Sequence, residues 1–183
     1  AEELGCNVET DIFLTNGASD RLDREAEALG AKLIYSRYAR RSLFSFVTNW
    51  RRTLLCGAYG AVHDHQEFTA GWHFLFGMGL LPPVRIAHLH NPMSHQTSYG
   101  TSRLRRLTIA FGNRLIATHA TQLLSTSRRL ITEQGFDDLR VARRLPKMAL
   151  YCGFDPRRFR GDQSAARSDV RKEFALSSDA RVM

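Results

Sequence analysis

The stretch Ala149–Phe159 reads ALYCGFDPRRF, the pattern of a strand running through a turn into a helix. Met148 to Tyr151 form a short apolar run. Gly153 suits a sharp strand exit because it can take a positive φ. Asp155 is a natural N-cap, and Pro156 stands at the first helical position, where a missing N–H costs nothing. Arg157, Arg158 and Phe159 follow, then a polar stretch and a helical pattern from Ser168 to Leu176. Asp179-Ala180-Arg181-Val182-Met183 reads as the start of another strand.

Working back along the chain, the same alternation recurs. Apolar runs predict strands at Thr10–Thr15, Lys32–Ser36, Ala61–His63, Val84–His88, Gln122–Ser125 and Met148–Tyr151. Helical patterns lie between them. Asp20–Leu29 is capped by Ser19 or Asp20 and stopped by Gly30. Leu43–Leu55 carries Leu43, Val47, Trp50 and Leu54 on one face, and Thr101–Ala117 carries Leu104, Leu107, Phe111 and Leu115. Ser127–Gln134 is stopped by Gly135. Such alternation predicts an α/β fold, a doubly wound, mostly parallel sheet. Ala1 to Gly5 read as the end of a helix, so the chain is expected to be truncated at both ends.

The chain has 183 residues, with 26 basic against 18 acidic side chains and a net charge of +8. The charge is unevenly spread. From Phe68 to Thr132 there is no Asp or Glu, while Arg85, Arg103, Arg105, Arg106, Arg114, Arg128 and Arg129 all fall there. For any one arginine a solvated surface is the plain reading. An acid-free span of this length predicts an anionic partner. Cys6, Cys56 and Cys152 are odd in number and widely spaced, which argues against a disulfide framework and for a reducing compartment. The longest apolar run, Gly71 to Val84, is too short to span a bilayer.

In a parallel α/β sheet the ligand site lies beyond the carboxyl ends of the strands. Four polar strand exits meet that rule: His63-Asp64-His65-Gln66-Glu67, His88-Leu89-His90-Asn91-Pro92, Ser125-Thr126-Ser127 and Tyr151-Cys152-Gly153. The two His-x-His pairs invite a metal reading, with Asp64 and Glu67 as nearby carboxylates. The commoner fate of such histidines is to be satisfied in the core. His63 and His88 are expected to be held by backbone groups, and His65 and His90 to face the cleft. Pro92 to Tyr99 lacks periodicity and reads as a loop at the substrate edge. Arg103, Arg106 and Arg114 flank the apolar stripe behind it, and Arg51 and Arg52 flank Trp50. Such flanks can seat a helix on an anionic bilayer, although core packing with a wet basic flank is the simpler account. There is no P-loop, no GxGxxG and no serine elbow. Without a recognition motif or interleaved aromatics, nucleic acid is not an expected partner.

Taken in order, GAYGAVHDHQEFTAG (Gly57 to Gly71), VRIAHLHNP (Val84 to Pro92), ATHATQLLSTS (Ala117 to Ser127) and YCGFDPRRF resemble motifs of family 4 glycosyltransferases. These are two-domain GT-B enzymes, and the likeness is to their exopolysaccharide and capsular type. Gly60 and Ala61 stand where that family often has Asp and a bulky aliphatic residue, and Cys152 replaces its usual Asn. The resemblance implies a Rossmann-like acceptor-side domain over residues 1–150, lacking its first strand and glycine loop. A hinge motif and linker helix would occupy 151–178, and 179–183 would begin a missing donor-binding domain. It also implies transfer from a nucleotide sugar, with retention and with no metal or other cofactor, to a saccharide or lipid-linked acceptor. By position, His90 matches the family's catalytic histidine. His65, His88, Asn91, Ser125, Arg103 and Arg106 are the candidate substrate contacts, and Gly153, Asp155 and Phe159 the hinge. The expected setting is cytoplasmic, with peripheral contact at an anionic membrane face, and this half alone is expected to be inactive. Two rivals remain: a metal-dependent hydrolase built on the His-x-His pairs, and a non-catalytic basic module binding nucleic acid or membrane.

Overall fold

The structure is a computed structural model in which residues 8–98, 102–151, 153, 172–175 and 177 are described. One compact unit ends at Leu150, and the chain from Tyr151 onward forms a second. Most of the second unit lies outside the described residues, including Asp155, Phe159, most of the Ser168–Leu176 helix and the strand expected at 179–183. Gly153 is exposed, and a Cβ there would meet nothing among the described residues; its neighbours are not described.

The first unit is α/β and parallel. Strand β1 (Asp11–Leu14), helix α1 (Asp23–Ala28) and strand β2 (Lys32–Tyr35) form a parallel two-stranded ribbon. Helix α2 (Leu43–Gly57) leads to strand β3 (Ala61–Asp64), helix α3 (Thr69–Phe76) and strand β4 (Val84–Leu89). Next come helices α4 (Met93–Ser98) and α5 (Arg103–His119), strand β5 (Gln122–Ser125), helix α6 (Arg128–Glu133) and strand β6 (Lys147–Ala149). β3, β4, β5 and β6 pair in chain order, every pair parallel. Parallel neighbours require crossover connections, so the exits of β3, β4, β5 and β6 gather at one edge of their sheet.

All six expected strands are present, the last one shifted slightly toward the N-terminus. The helices needed more correction. α1 begins at Asp23 without a side-chain cap. Instead of Ser19 or Asp20 capping it, the Asp23 carboxylate accepts the Asp20 N–H at 2.8 Å and the Tyr35 hydroxyl at 2.7 Å. The segment expected to be a loop after Pro92 contains α4. On α2 the buried row is Phe46, Trp50 and Leu54, while Leu43 is exposed. Phe13 of β1 and Tyr38 set their rings edge-on against Phe46, at 5.7 and 4.8 Å, and this aromatic group fixes how the helix is turned.

The largest departure is on α5. Its buried residues are Ile109, Gly112, Asn113, Leu115, Ile116 and Ala117. Of the expected stripe only Leu115 is buried; Leu104 is 75% and Leu107 67% exposed, and Phe111 is also exposed. The cause is the crossing with α3. A Cβ on Gly71 would collide with the Gly112 carbonyl oxygen, and a Cβ on Gly112 with that of Phe68. The two backbones meet where neither helix has a side chain, which places Gly112 at the centre of the contact. At about 100° per residue, Leu104, Leu107 and Phe111 then lie roughly 80–140° away from it.

Two apolar clusters hold the unit. One joins Ala70, Phe74, Ala87, Leu89, Ile116, Leu123, Ile131 and Phe136. The other is built on Phe46, Trp50 and Leu54, with Phe13, Tyr38 and Tyr59 packed on it. Tyr59 also donates its hydroxyl to the Asp11 carboxylate at 2.6 Å, tying the ribbon to the chain entering β3. Among the described residues no helix is long and apolar enough to cross a membrane.

Candidate functional site

Side chains two residues apart on a strand share a face. His63 and His65 leave β3 on one face, and His88 and His90 leave the adjacent end of β4. With Asp64 opposite Ala87 in the ladder, the two pairs come together as a block of four imidazoles. His63 Nε2 lies 3.2 Å from His88 Nδ1, and His65 Nδ1 lies 2.8 Å from His90 Nε2. Ring centroids along each strand are 4.1 Å (His63–His65) and 4.2 Å (His88–His90) apart.

The division into two core and two cleft histidines is therefore corrected. His63 and His65 are both exposed and His90 is half-buried, while only His88 is buried, at 7% exposure. No backbone group satisfies His88: its Nδ1 faces His63, and its buried Nε2 has no partner among the described residues. Burial, reinforced by its imidazole neighbours, pushes the His88 pKa down to about 4. Burial also lowers His63 and His65. At neutral pH these three rings are uncharged, with lone pairs to offer.

The carboxylates near the first pair are committed elsewhere. Asp64 alternates with the histidines and points to the opposite face, where its Oδ2 meets Nδ1 of buried His73 at 2.6 Å. The rings of Tyr38 and Phe46 pack on His73 at 5.1 and 5.2 Å, and Trp50 Nε1 donates to its carbonyl at 2.9 Å. Glu67 is buried with φ +52°, a left-handed conformation that a non-glycine residue holds at a cost and that tends to cluster at functional sites. Its Oε1 accepts the N–H groups of His90 at 2.8 Å and Asn91 at 2.9 Å, and the Asn91 side-chain amide at 3.1 Å. Burial raises the Glu67 pKa against the opposing pull of these donors. Glu67 thus fixes the exit of β4 from the segment that follows the neighbouring strand β3, a positioning role that sequence reasoning missed. In the sequence it stood out only as a carboxylate two residues past His65.

The remaining candidates separate. Asn91 is held by Glu67, and its carbonyl accepts from Gln134 Nε2 at 3.3 Å. Ser125 ends β5 at the same edge but is fully buried, and its hydroxyl donates to the Ser127 carbonyl at 2.9 Å. It shapes the turn rather than presenting a hydroxyl to the cleft. Arg103 and Arg106 are exposed on the first turn of α5, with no hydrogen bond to the histidines. Arg85, from the same acid-free span, is spent on structure. It donates to the carbonyls of His119, Pro82 and Pro83 at 2.5, 2.8 and 2.9 Å.

Among curated proteins the chain is similar to one named "Putative glycosyltransferase EpsF", from Bacillus subtilis (strain 168), with 33% identity over 103 residues. The match takes in 55% of this chain and 26% of that protein, so the chain spans only about a quarter of the relative's length. No known family profile matches the chain, and no solved structure matches it significantly.

Proposed function

We propose that this chain is the acceptor-side part of a GT-B glycosyltransferase of the family 4 type. It would transfer a sugar from a nucleotide-sugar donor, with retention, to a saccharide or lipid-linked acceptor in polysaccharide synthesis. The observation that carries this reading is the similarity to a protein named as a glycosyltransferase. The parallel α/β fold and the imidazole block at the strand ends support it, because that edge is where such folds bind ligands.

In this reading His90 faces the acceptor or the reacting sugar. His65 holds its Nε2 and Glu67 its backbone N–H, leaving Nδ1 to meet charge as it develops. The leaving diphosphate is stabilised by basic groups and N–H donors, most of them on the donor-binding domain, so the transfer itself needs no metal. Asp64 and the Oε1 atom of Glu67 are already engaged, which favours a transferase over a hydrolase needing a carboxylate beside the rings. The exposed Leu104 and Leu107, flanked by Arg103, Arg106 and Arg114, support peripheral contact with an anionic bilayer from the cytoplasmic side.

The test is nucleoside-diphosphate release by the complete protein, incubated with a panel of uridine- and guanosine-diphosphate sugars and a membrane lipid extract. Donor-dependent release with incorporation of sugar into the extract is expected. Full-length protein that is folded and binds none of the donors would overturn the reading. The 183-residue chain alone is expected neither to transfer sugar nor to bind these donors tightly.

A further inference from the structure

The imidazole block has a geometry that sugar transfer does not require. The nitrogens offered by His63, His65 and His88 all lie within 4.8 Å of one another. The 3.2 Å between His63 Nε2 and His88 Nδ1 is close to the edge of a tetrahedron around zinc, about 3.3–3.4 Å for Zn–N bonds of about 2.0–2.1 Å. We propose that His63, His65 and His88 form a binding site for one borderline transition-metal dication of the zinc, cobalt, nickel or copper class.

Three features carry this. First, His63 and His88 stand on the paired strands β3 and β4 and His65 follows β3 by one residue, so the spacing of the ligands is set largely by the β3–β4 ladder. Second, His88 is buried and no backbone group holds its Nδ1, which faces His63 Nε2 instead. A cation between the two rings would take a lone pair from each, and imidazole is a common ligand for such ions. Third, the donor set is all imidazole, since Asp64 is turned to His73 and Glu67 Oε1 to the β4 exit. Imidazole selects zinc and its neighbours, whereas magnesium and calcium require oxygen ligands.

His90 stays outside the ligand set. It holds His65 Nδ1 at 2.8 Å, which leaves Nε2 of His65 for the ion. A ligand histidine usually has its second nitrogen fixed in this way. The exposure of His63 and His65 gives the ion a path in and leaves room for a solvent ligand in the fourth position. The site is independent of the transferase reading, since metal binding and sugar transfer are measured separately and either can hold alone.

The test is titration of the purified, metal-stripped chain with cobalt(II), followed by displacement with zinc. One equivalent is expected to bind with the strong visible absorption of a four-coordinate cobalt centre, to yield to zinc, and to be indifferent to a large excess of magnesium. His63→Ala and His65→Ala should each weaken zinc binding by at least about 100-fold, more than is usual for losing an outer-shell partner. His119→Ala should leave it unchanged. Because His63 and His65 are exposed, both variants are expected to fold, which keeps the test sound even where the buried His88→Ala does not. Weak octahedral cobalt spectra, or zinc affinity in the His63→Ala/His65→Ala double variant within tenfold of the parent, would overturn the proposal.

Discussion

Glu67 is one side chain on which the geometry of the β4 exit converges. Glu67→Ala would leave two backbone N–H groups and the Asn91 amide without their acceptor, each unsatisfied donor costing about 1–3 kcal/mol if it stays dry. A loss of roughly 2–4 kcal/mol in urea-unfolding free energy is expected. Glu67→Gln, which keeps one acceptor oxygen, should lose less, and equal losses would show that the bonds to Oε1 carry no stability. The histidines separate by burial. Under the proposed transferase function, His90→Ala in the full-length protein should lower turnover about 10²–10³-fold with a nearly unchanged melting temperature. His88→Ala should lower the melting temperature, because its ring is buried between strands. Small, equal effects at both would remove the imidazoles from catalysis. Residue types at the strand exits could be read from the sequence; their facing could not. His63 and His65 share a face by periodicity, yet which face is buried depends on what packs there, and Asp64–His73 is a contact between a strand and a helix that no local pattern announces.

At the scale of elements, the α3–α5 crossing is the feature with the sharpest consequence. Gly112→Ala or Gly71→Ala forces backbone against a new methyl group and should destabilise the chain by at least about 1–3 kcal/mol, the usual cost of overpacking. A melting temperature unchanged by either substitution would mean the helices can part freely. Leu104→Ser/Leu107→Ser should change stability by less than about 0.5 kcal/mol per site, as exposed substitutions do. The same variant should reduce sedimentation with anionic vesicles if this row meets a bilayer, while undiminished binding would count against that contact. The strands were legible to within a few residues because short apolar runs between turns and helices leave little choice. The stripe of α5 was misread because leucines at helical spacing look like a core face, whereas Gly112, carrying no hydrophobic signal, decides which side is buried. α4 was missed because MSHQTS has no apolar period.

At the scale of the whole unit, the Tyr59–Asp11 bond links the two-stranded ribbon to the chain entering the four-stranded sheet. Burial, then the Asp11 hydrogen bond and charge, push Tyr59 from 10.0 to about 12. A pKa raised in the folded state means the folded chain keeps its proton longer than the unfolded one. The stabilisation is therefore complete below pH 10 and is lost as pH rises toward 12. Tyr35, raised to about 12 chiefly by its hydrogen bond to Asp23, contributes to the same alkaline decline. Tyr59→Phe should lower stability at neutral pH and flatten part of the fall between pH 10 and 12 in chemical unfolding curves. An unchanged slope would mean the link opens in solution. Asp64 has a consequence of a different kind. Standing between His63 and His65, it makes β3 a strand whose two sides carry incompatible chemistry. A slip of one position against β4 would turn the imidazoles into the apolar layer and carry Asp64 away from His73, stranding a buried ring beneath Tyr38 and Phe46. The carboxylate therefore acts chiefly on competing arrangements of the chain. It raises the free energy of the near-miss structure, so that molecules leaving the ribosome sort into one register.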